Sequence, residues 1–356
     1  MLFRNTSADS SWPYKTMSVM IAARQKTIRD RLLALPSKNL FDSECADADA
    51  EALFSMSWYA EDPSDRHRGA AARLHTLESL RTRVLKSLAP EMALLSVEEH
   101  DLLIRTVIFG GRHFLTDPDT LRPAFSLVRR LWCSVSHSGD LLQLTIAPAL
   151  RTTILLILAG ESHKQVRDMI QQVHDRIDTS LYLLGVLSVS APEQHLQRLL
   201  NGTHAENQPD LIYRFFHSGY DLSYNKAGQA FLVHPGLAEP GRYLSMMTSS
   251  VTDPAGFFSL DEQALTAASD TLADLEDPLY EHLLFLLLDV TRPEYEAEDV
   301  IEDLFILAKQ SVSPEEMEEV LSAALICLPT EEMRTALRDL STRIPRWFFL
   351  SSGIVQ

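Results

Sequence analysis

Cysteine is scarce in this chain. The sequence contains Cys45, Cys133 and Cys327, which lie far apart and form no CxxC pair. Disulfide frameworks need a dense, even set of cysteines, and finger-type zinc sites need closely paired ones, so the sequence argues against both. We therefore expect a protein of a reducing compartment.

Long apolar runs are also missing. The longest lie around residues 152–160 and 283–288, well below the ~20 residues that span a bilayer. The first residues, MLFRNTSADSSWPYKT, lack the apolar segment of a secretory signal. Six Lys and Arg residues among residues 1–35 leave a transit peptide as an alternative, which Asp9 and Asp30 weaken. We expect no membrane span and an intracellular location, cytoplasmic or nuclear.

Motifs that name a reaction are absent as well. The twelve histidines form no HExxH or HxH spacing, and Gly110-Gly111 follows no strand and belongs to no phosphate-loop pattern. Cys133 and His137 lie four residues apart, which allows a nucleophile–base pair but is more typical of a buried thiol near a loop histidine. We predict no catalytic residue, no metal site and no cofactor.

Signals for helix starts are abundant. A Ser or Thr is followed three residues later by Glu in five places, a spacing that permits a capping box. These pairs are Ser96/Glu99, Ser190/Glu193, Ser259/Glu262, Thr291/Glu294 and Ser313/Glu316. With 46% hydrophobic and 23% charged residues, the composition is that of an ordinary globular protein. The chain is therefore predicted to be a series of separate, well-started helices.

Apolar spacing predicts the following architecture. Helices are expected over residues 97–109, from 117 or 119 to 135, over 141–159 with a break at Pro148, and over 261–275, 278–290, 293–310, 314–328 and 331–344. In the helix over 314–328 the predicted apolar stripe comprises Met317, Val320, Leu321, Ala324, Leu325 and Leu328. The predicted fold class is all-α, an irregular helical-repeat (α-solenoid-like) array or two stacked helical bundles. An irregular insertion near residues 210–250 is compatible with a small β-hairpin, formed by short strand-like pieces at 230–234 and 243–247, or with an ordered functional loop.

The predicted domain organisation follows these changes along the chain. It comprises a polar tail at 1–16, an N-terminal helix and acidic loop at 17–65, a helical domain at 66–209, the insertion at 210–258 and an acidic helical domain at 259–356.

Charge is distributed very unevenly. Residues 259–343 contain 21 Asp and Glu against 5 Lys and Arg, whereas the net charge of the whole chain is −17. Glutamates in first turns stabilise helix dipoles, which is one explanation of the acidity. The other is an acidic surface that binds a basic partner protein. The candidate residues of that surface are Glu315, Glu316, Glu318 and Glu319.

Two further segments are candidates for binding. The irregular region concentrates polar-tipped aromatic residues and cations, which are typical of ligand pockets and interfaces. Its candidate residues are Tyr213, Arg214, His217, Tyr220, Tyr224, Lys226 and His234, with His217 a potential base and Arg214 or Lys226 a potential anion holder. The apolar end of the chain adds Trp347, Phe348 and Phe349, which must pack against the rest of the protein or bind a partner.

The function expected from these patterns is non-enzymatic protein–protein interaction, as a scaffold or regulatory adaptor. The partner is another protein with a basic surface. An enzyme with a pocket around residues 213–243 is the alternative. A third reading is nucleic-acid binding through the basic segment 66–86, which lacks the interleaved aromatic residues that single-strand binders use.

Overall fold

The structure, a computed structural model, confirms a mostly helical protein and adds two small antiparallel sheets. The residues that it describes are 17–35, 37–42, 45–60, 76–138, 141–200, 209–246, 278–293 and 295–347. The chain forms two compact units. The first unit is Arg24–His174 with Glu193–Tyr220, and the second is Met1–Ala23, Asp175–Pro192 and Asp221–Gln356.

The secondary structure of the described residues is as follows. The α-helices are α1 Met17–Ala34, α2 Ala50–Met56, α3 Leu77–Ala93, α4 Val97–Ile108, α5 Leu121–Arg129, α6 Pro148–Leu158, α7 Glu161–Leu184, α8 Ser190–Leu200, α9 Pro209–Gly219, α10 Pro240–Met246, α11 Pro278–Leu287, α12 Ala297–Lys309, α13 Pro314–Ala324 and α14 Glu331–Arg343. The strands are β1 Arg112–Leu115, β2 Cys133–Ser138, β3 Leu141–Ile146, β4 Val186–Ser188, β5 Asp221–Tyr224 and β6 Ala230–Val233.

The helix starts confirm part of the capping prediction. At the start of α4, Ser96 Oγ accepts from the amide of Glu99 at 3.2 Å, and the Glu99 carboxylate accepts from the amide of Ser96 at 3.0 Å. The same reciprocal pair is present at Ser313 and Glu316, at the start of α13. Each box satisfies amides that the first turn of a helix leaves without a backbone partner.

Two of the remaining capping predictions are wrong. Thr291 Oγ1 donates to the carbonyl oxygen of Leu287 at 2.8 Å, so it closes α11 instead of opening the next helix. Ser190 does begin α8, but its hydroxyl pairs with the Ser188 hydroxyl at 2.9 Å. The fifth predicted pair, at residues 259 and 262, lies outside the described residues, as does the helix predicted over 261–275.

The first unit contains a sheet that the sequence interpretation missed. Strands β1, β3 and β2 are antiparallel neighbours in that order. In β3 the buried side chains are Leu142, Leu144 and Ile146, which alternate along the strand as a one-sided sheet requires. The helix predicted to reach residue 135 therefore ends earlier, at Arg129, and the helix predicted over 141–159 begins only at Pro148. Leu142, Ile146 and Leu150 are also four residues apart, so the same apolar residues satisfy a helical spacing.

The second unit contains a hairpin within residues 210–250, but it does not join the two predicted strand pieces. Strands β4, β6 and β5 form an antiparallel sheet in that order, and β5 and β6 are joined by residues 225–229. The Asn225 side-chain oxygen accepts from the amides of Ala227 and Gln229, which closes the loop. The strand predicted over 243–247 is wrong, because residues 240–246 form α10.

The acidic helices of the second unit pack around α12. Its side chains Ile301, Leu304 and Phe305 are fully buried and share one apolar cluster with residues of α11, α13 and α14. Pro278 and Pro314 begin α11 and α13 as predicted, at positions where a missing amide costs little. The helix predicted to start at Pro293 begins later, at Ala297.

The end of α13 differs from the prediction. Met317, Val320, Leu321, Ala324 and Leu325 are buried, which confirms most of the stripe. The helix ends at Ala324, however, and Leu325 has extended backbone that bridges to Thr291. Because the chain leaves the helical path, Leu328 is not part of the stripe but exposed.

Candidate functional site

The candidate residues of the irregular region are divided between the two units. Tyr213, Arg214, His217 and Tyr220 belong to the first unit. Tyr224, Lys226 and His234 belong to the second.

Arg214 belongs to a buried network of charged groups in the first unit. Its Nη2 lies 3.2 Å from Glu91 Oε1, which also accepts a hydrogen bond from the Tyr59 hydroxyl at 3.2 Å. Arg130 Nε lies 3.8 Å from the other oxygen of Glu91. All four side chains are buried. Opposite charges face one another in this network, which lowers the cost of burying them.

Arg130 connects Glu91 to a second carboxylate and to two hydroxyl groups. Its Nη2 is 3.6 Å from Glu99 Oε2 and donates to Ser218 Oγ at 3.0 Å, and its Nη1 donates to Ser126 Oγ at 3.3 Å. Glu99 is the residue whose carboxylate also caps α4. The network therefore joins helices α3, α4, α5 and α9 through paired charges.

Tyr220 is held by a histidine that the sequence interpretation did not single out. Its hydroxyl and His174 Nδ1 are 2.5 Å apart, and the two rings are stacked. Burial, with a smaller contribution from the nearby Arg167 guanidinium, lowers the pKa of His174 to about 4. A neutral imidazole buried beside a phenol is a packing element. The neighbouring pair, Tyr213 and His217, is also stacked, with ring centroids 3.8 Å apart.

The candidates in the second unit have two different environments. Tyr224 and Lys226 are exposed at the tip of the β5–β6 hairpin. His234 Nδ1 accepts from the amide of Gly236 at 3.0 Å, and its ring lies 5.0 Å from that of Trp347. His234 therefore contributes to the surroundings of the predicted apolar end.

Trp347 is anchored in the second unit. It is fully buried, and its Nε1 donates to the carbonyl oxygen of Tyr182 at 2.8 Å. Gly185 has a positive φ of 74°, and a Cβ there would lie 2.6 Å from the Trp347 ring. The close approach of the indole thus requires glycine at position 185. Phe348 and Phe349 lie outside the described residues.

The four acidic candidates on α13 have unequal roles. Glu316 caps the helix, and Glu318 Oε1 accepts from Arg334 Nε at 2.8 Å. Glu315 and Glu319, in contrast, are exposed. Helix capping and ion pairing therefore account for half of this acidic set, and the other two carboxylates face solvent.

The same unit carries an exposed apolar patch, which we define as Phe285, Leu288, Ile326 and Leu328. These residues are 79%, 60%, 63% and 82% exposed, respectively. Phe285 and Leu288 lie three residues apart on α11 and its end, and so share a face. The amide of Ile326 donates to the carbonyl oxygen of Val290 at 2.9 Å, which brings the segment after α13 beside the end of α11. Sequence reasoning missed this patch because it placed Leu328 in the buried stripe.

The basic segment 66–86 lies partly outside the described residues. Of its described cations, Arg81 donates to the carbonyl oxygens of Leu40 and Asp42, and Arg83 lies over the Tyr59 ring at 4.9 Å. These two guanidinium groups contact the chain's own residues. Nucleic-acid binding by this segment stays a prediction, as does a pocket around 213–243.

The described part of the chain contains neither a candidate metal site nor a candidate membrane span. In that part of the chain, no group of three or more His, Cys, Asp or Glu side chains is arranged to hold a metal ion. None of the described helices is both long and apolar enough to cross a bilayer.

The chain was compared with known protein families, curated proteins and solved structures. No family model matches it, and neither the curated proteins nor the solved structures include a significant match.

Proposed function

We propose that this protein is a non-enzymatic adaptor or scaffold whose second unit binds another protein through its acidic helical surface. The observation that carries the proposal is the exposure of Glu315 and Glu319 on α13, where Glu316 and Glu318 already serve the cap and the ion pair. Glu315 also lies in the first turn of α13, where a carboxylate stabilises the helix dipole, whereas the exposed carboxylate of Glu319 lies beyond that turn.

The charge of the surrounding sequence supports this proposal. Residues 278–347 contain 15 Asp and Glu against 6 Lys and Arg. Two of the six cations, Arg334 and Arg338, contact Glu318 or Glu331. Such an excess of one sign attracts a partner with a basic surface and speeds the encounter, an effect that salt screens. In this proposal the protein acts inside the cell, and its helices form an irregular solenoid-like array.

Affinity capture with a charge-reversal variant tests the proposal. The tagged full-length protein and the variant Glu315→Lys/Glu319→Lys are used to capture proteins from a lysate, followed by quantitative mass spectrometry. Glu316 and Glu318 are kept, because their replacement would disturb the helix start and the pair with Arg334. We expect the variant to lose a set of basic partners that dissociate from the wild type as salt rises.

A matched control keeps the change of charge but moves it to the first unit. Glu51 lies in the first turn of α2, as Glu315 does in α13, and Asp101 lies mid-helix, as Glu319 does; both are exposed. The variant Glu51→Lys/Asp101→Lys should retain the partners. Retention of the same partners by both variants, or loss from both, would contradict the proposal.

A further inference from the structure

We infer that the exposed apolar patch of the second unit is the docking site for a basic amphipathic helix of the partner protein. This inference rests on the proposed function and specifies where the partner binds and what its binding element is. Large apolar side chains that are mostly exposed and adjacent to one another commonly mark protein–protein contact sites.

The charges around the patch specify the partner. Glu281 precedes Phe285 by four residues, and Asp289 follows it by four, so all three lie on the same face of α11 and its end. All three are exposed. Along this face the sequence presents a carboxylate, two apolar side chains and a second carboxylate. A complementary segment has apolar residues in its centre and a Lys or Arg on each side.

The residues after α13 extend the patch. The nearby Arg292 does not place an unpaired positive charge beside it. Ile326 lies beside the end of α11, where the Thr291–Leu325 bridge joins the two segments, and the exposed Leu328 follows two residues later. The Arg292 Nε donates to the carbonyl oxygen of Leu325 at 2.7 Å, so this guanidinium is used in holding the segment. The patch thus keeps a negative border.

The shape and charge favour a helix of a partner over other occupants. Phe285 and Leu288 lie along the helix axis, and a bound helix presents apolar residues at matching i, i+3, i+4 and i+7 positions. A symmetric contact between two copies through this patch would bring Glu281 and Asp289 near the same carboxylates of the other copy, which is repulsive. An anionic lipid surface is repelled for the same reason.

A synthetic peptide provides a direct test with the full-length protein. The probe is a fluorescein-labelled Leu/Lys peptide of about 18 residues, with leucines on one helical face, long enough to form a helix. Binding is followed by fluorescence anisotropy. We expect saturable binding to the wild type that weakens about tenfold or more in Phe285→Ser/Leu328→Ser, the loss of two apolar anchors. In Glu281→Gln/Asp289→Asn we expect weaker binding and a smaller dependence on salt.

Matched controls distinguish binding at this site from nonspecific binding to exposed apolar residues. Ile108 and Leu156 of the first unit are similarly exposed, so Ile108→Ser/Leu156→Ser should bind the peptide as the wild type does. A peptide of the same composition with the leucines scattered around the helix should bind much more weakly. All the substituted residues are exposed, and circular dichroism should show unchanged folding of each variant.

Three results would overturn the inference. They are equal peptide affinity in wild type and Phe285→Ser/Leu328→Ser, equal binding of the scattered peptide, and a patch-dependent self-association of the wild type in analytical ultracentrifugation. The proposed function is judged separately, by the capture experiment with Glu315→Lys/Glu319→Lys. Loss of partners there together with patch-independent peptide binding would remove the patch and leave the acidic surface as the binding site.

Discussion

Replacing Glu91 with Gln removes one negative charge from the buried network of the first unit. The Glu91 carboxylate faces two guanidinium groups, with Arg214 Nη2 at 3.2 Å and Arg130 Nε at 3.8 Å, and it also accepts from the Tyr59 hydroxyl. The variant keeps the size of the side chain and an oxygen for Tyr59. It removes the charge that faces the buried arginines and replaces one acceptor oxygen with an NH2 donor.

The expected loss of stability is large for a near-isosteric change. Removing one partner of a buried ion pair typically costs roughly 3–5 kcal/mol, because the remaining charge is left without compensation. A whole domain is stable by only about 5–15 kcal/mol. The half-buried pair of Glu318 with Arg334 offers a comparison, since ion pairs that water still reaches contribute about 0–1 kcal/mol.

Urea denaturation of the full-length variants measures this difference, and hydrogen exchange localises it. In Glu91→Gln we expect loss of protection in α3 and α9 of the first unit, which carry Glu91 and Arg214. In Glu318→Gln we expect a change below about 1 kcal/mol. If Glu91→Gln is as mild as Glu318→Gln, the buried charges do not stabilise the first unit, and the assignment of Arg214 to a structural network is wrong.

Three further predictions concern single sites. Gly185→Ala should destabilise the second unit by about 2 kcal/mol or more, because the backbone has a positive φ there and the new Cβ would clash with Trp347. Gly241→Ala is the control, since a Cβ in α10 at that position meets open space, and it should be neutral or stabilising. Thermal denaturation measures both variants. The pKa of His174 is about 4 in the folded state and about 6.5 in the unfolded chain, so the unfolded chain binds the proton first as pH falls. The free energy of unfolding should therefore decrease between about pH 6.5 and 4, by on the order of 3 kcal/mol from His174 alone. The pH slope of the urea midpoint should flatten in His174→Gln. Ser313→Ala should cost about 1 kcal/mol in urea denaturation through loss of the α13 cap.

Helix starts were predictable from the sequence in part. Ser96 and Ser313 cap α4 and α13 with the predicted glutamates, because a capping box needs only residues three apart. Thr291 has the same spacing but lies in the segment that bridges to Leu325, so tertiary pairing overrides the local signal. A local motif identifies a helix start only where the neighbouring chain leaves the backbone free to form one.

The missed sheet has a comparable cause. Leu142, Leu144 and Ile146 alternate as in a strand, but Leu142 and Ile146 also match helical spacing with Leu150. The pairing of β3 with both β1 and β2 decides between the two, and such pairing is not visible in a short apolar run.

The candidate site was predictable only in part. The acidic excess after residue 258 is read directly from the sequence, whereas the roles of individual glutamates depend on distant partners such as Arg334. The exposed patch depends on where α13 ends. That end lies where Leu325 pairs with Thr291, a contact between distant residues. Arg214 resembled a binding residue because its carboxylate partner, Glu91, is distant in the sequence.

The most direct test of the proposed function is hydrogen-exchange mass spectrometry of the full-length protein with and without a captured partner. The account predicts that the partner slows exchange in the second unit, at α11, α13 and residues 325–328, and leaves α3 to α6 of the first unit unchanged. Protection confined to the first unit, with these acidic helices unaffected, would contradict the account.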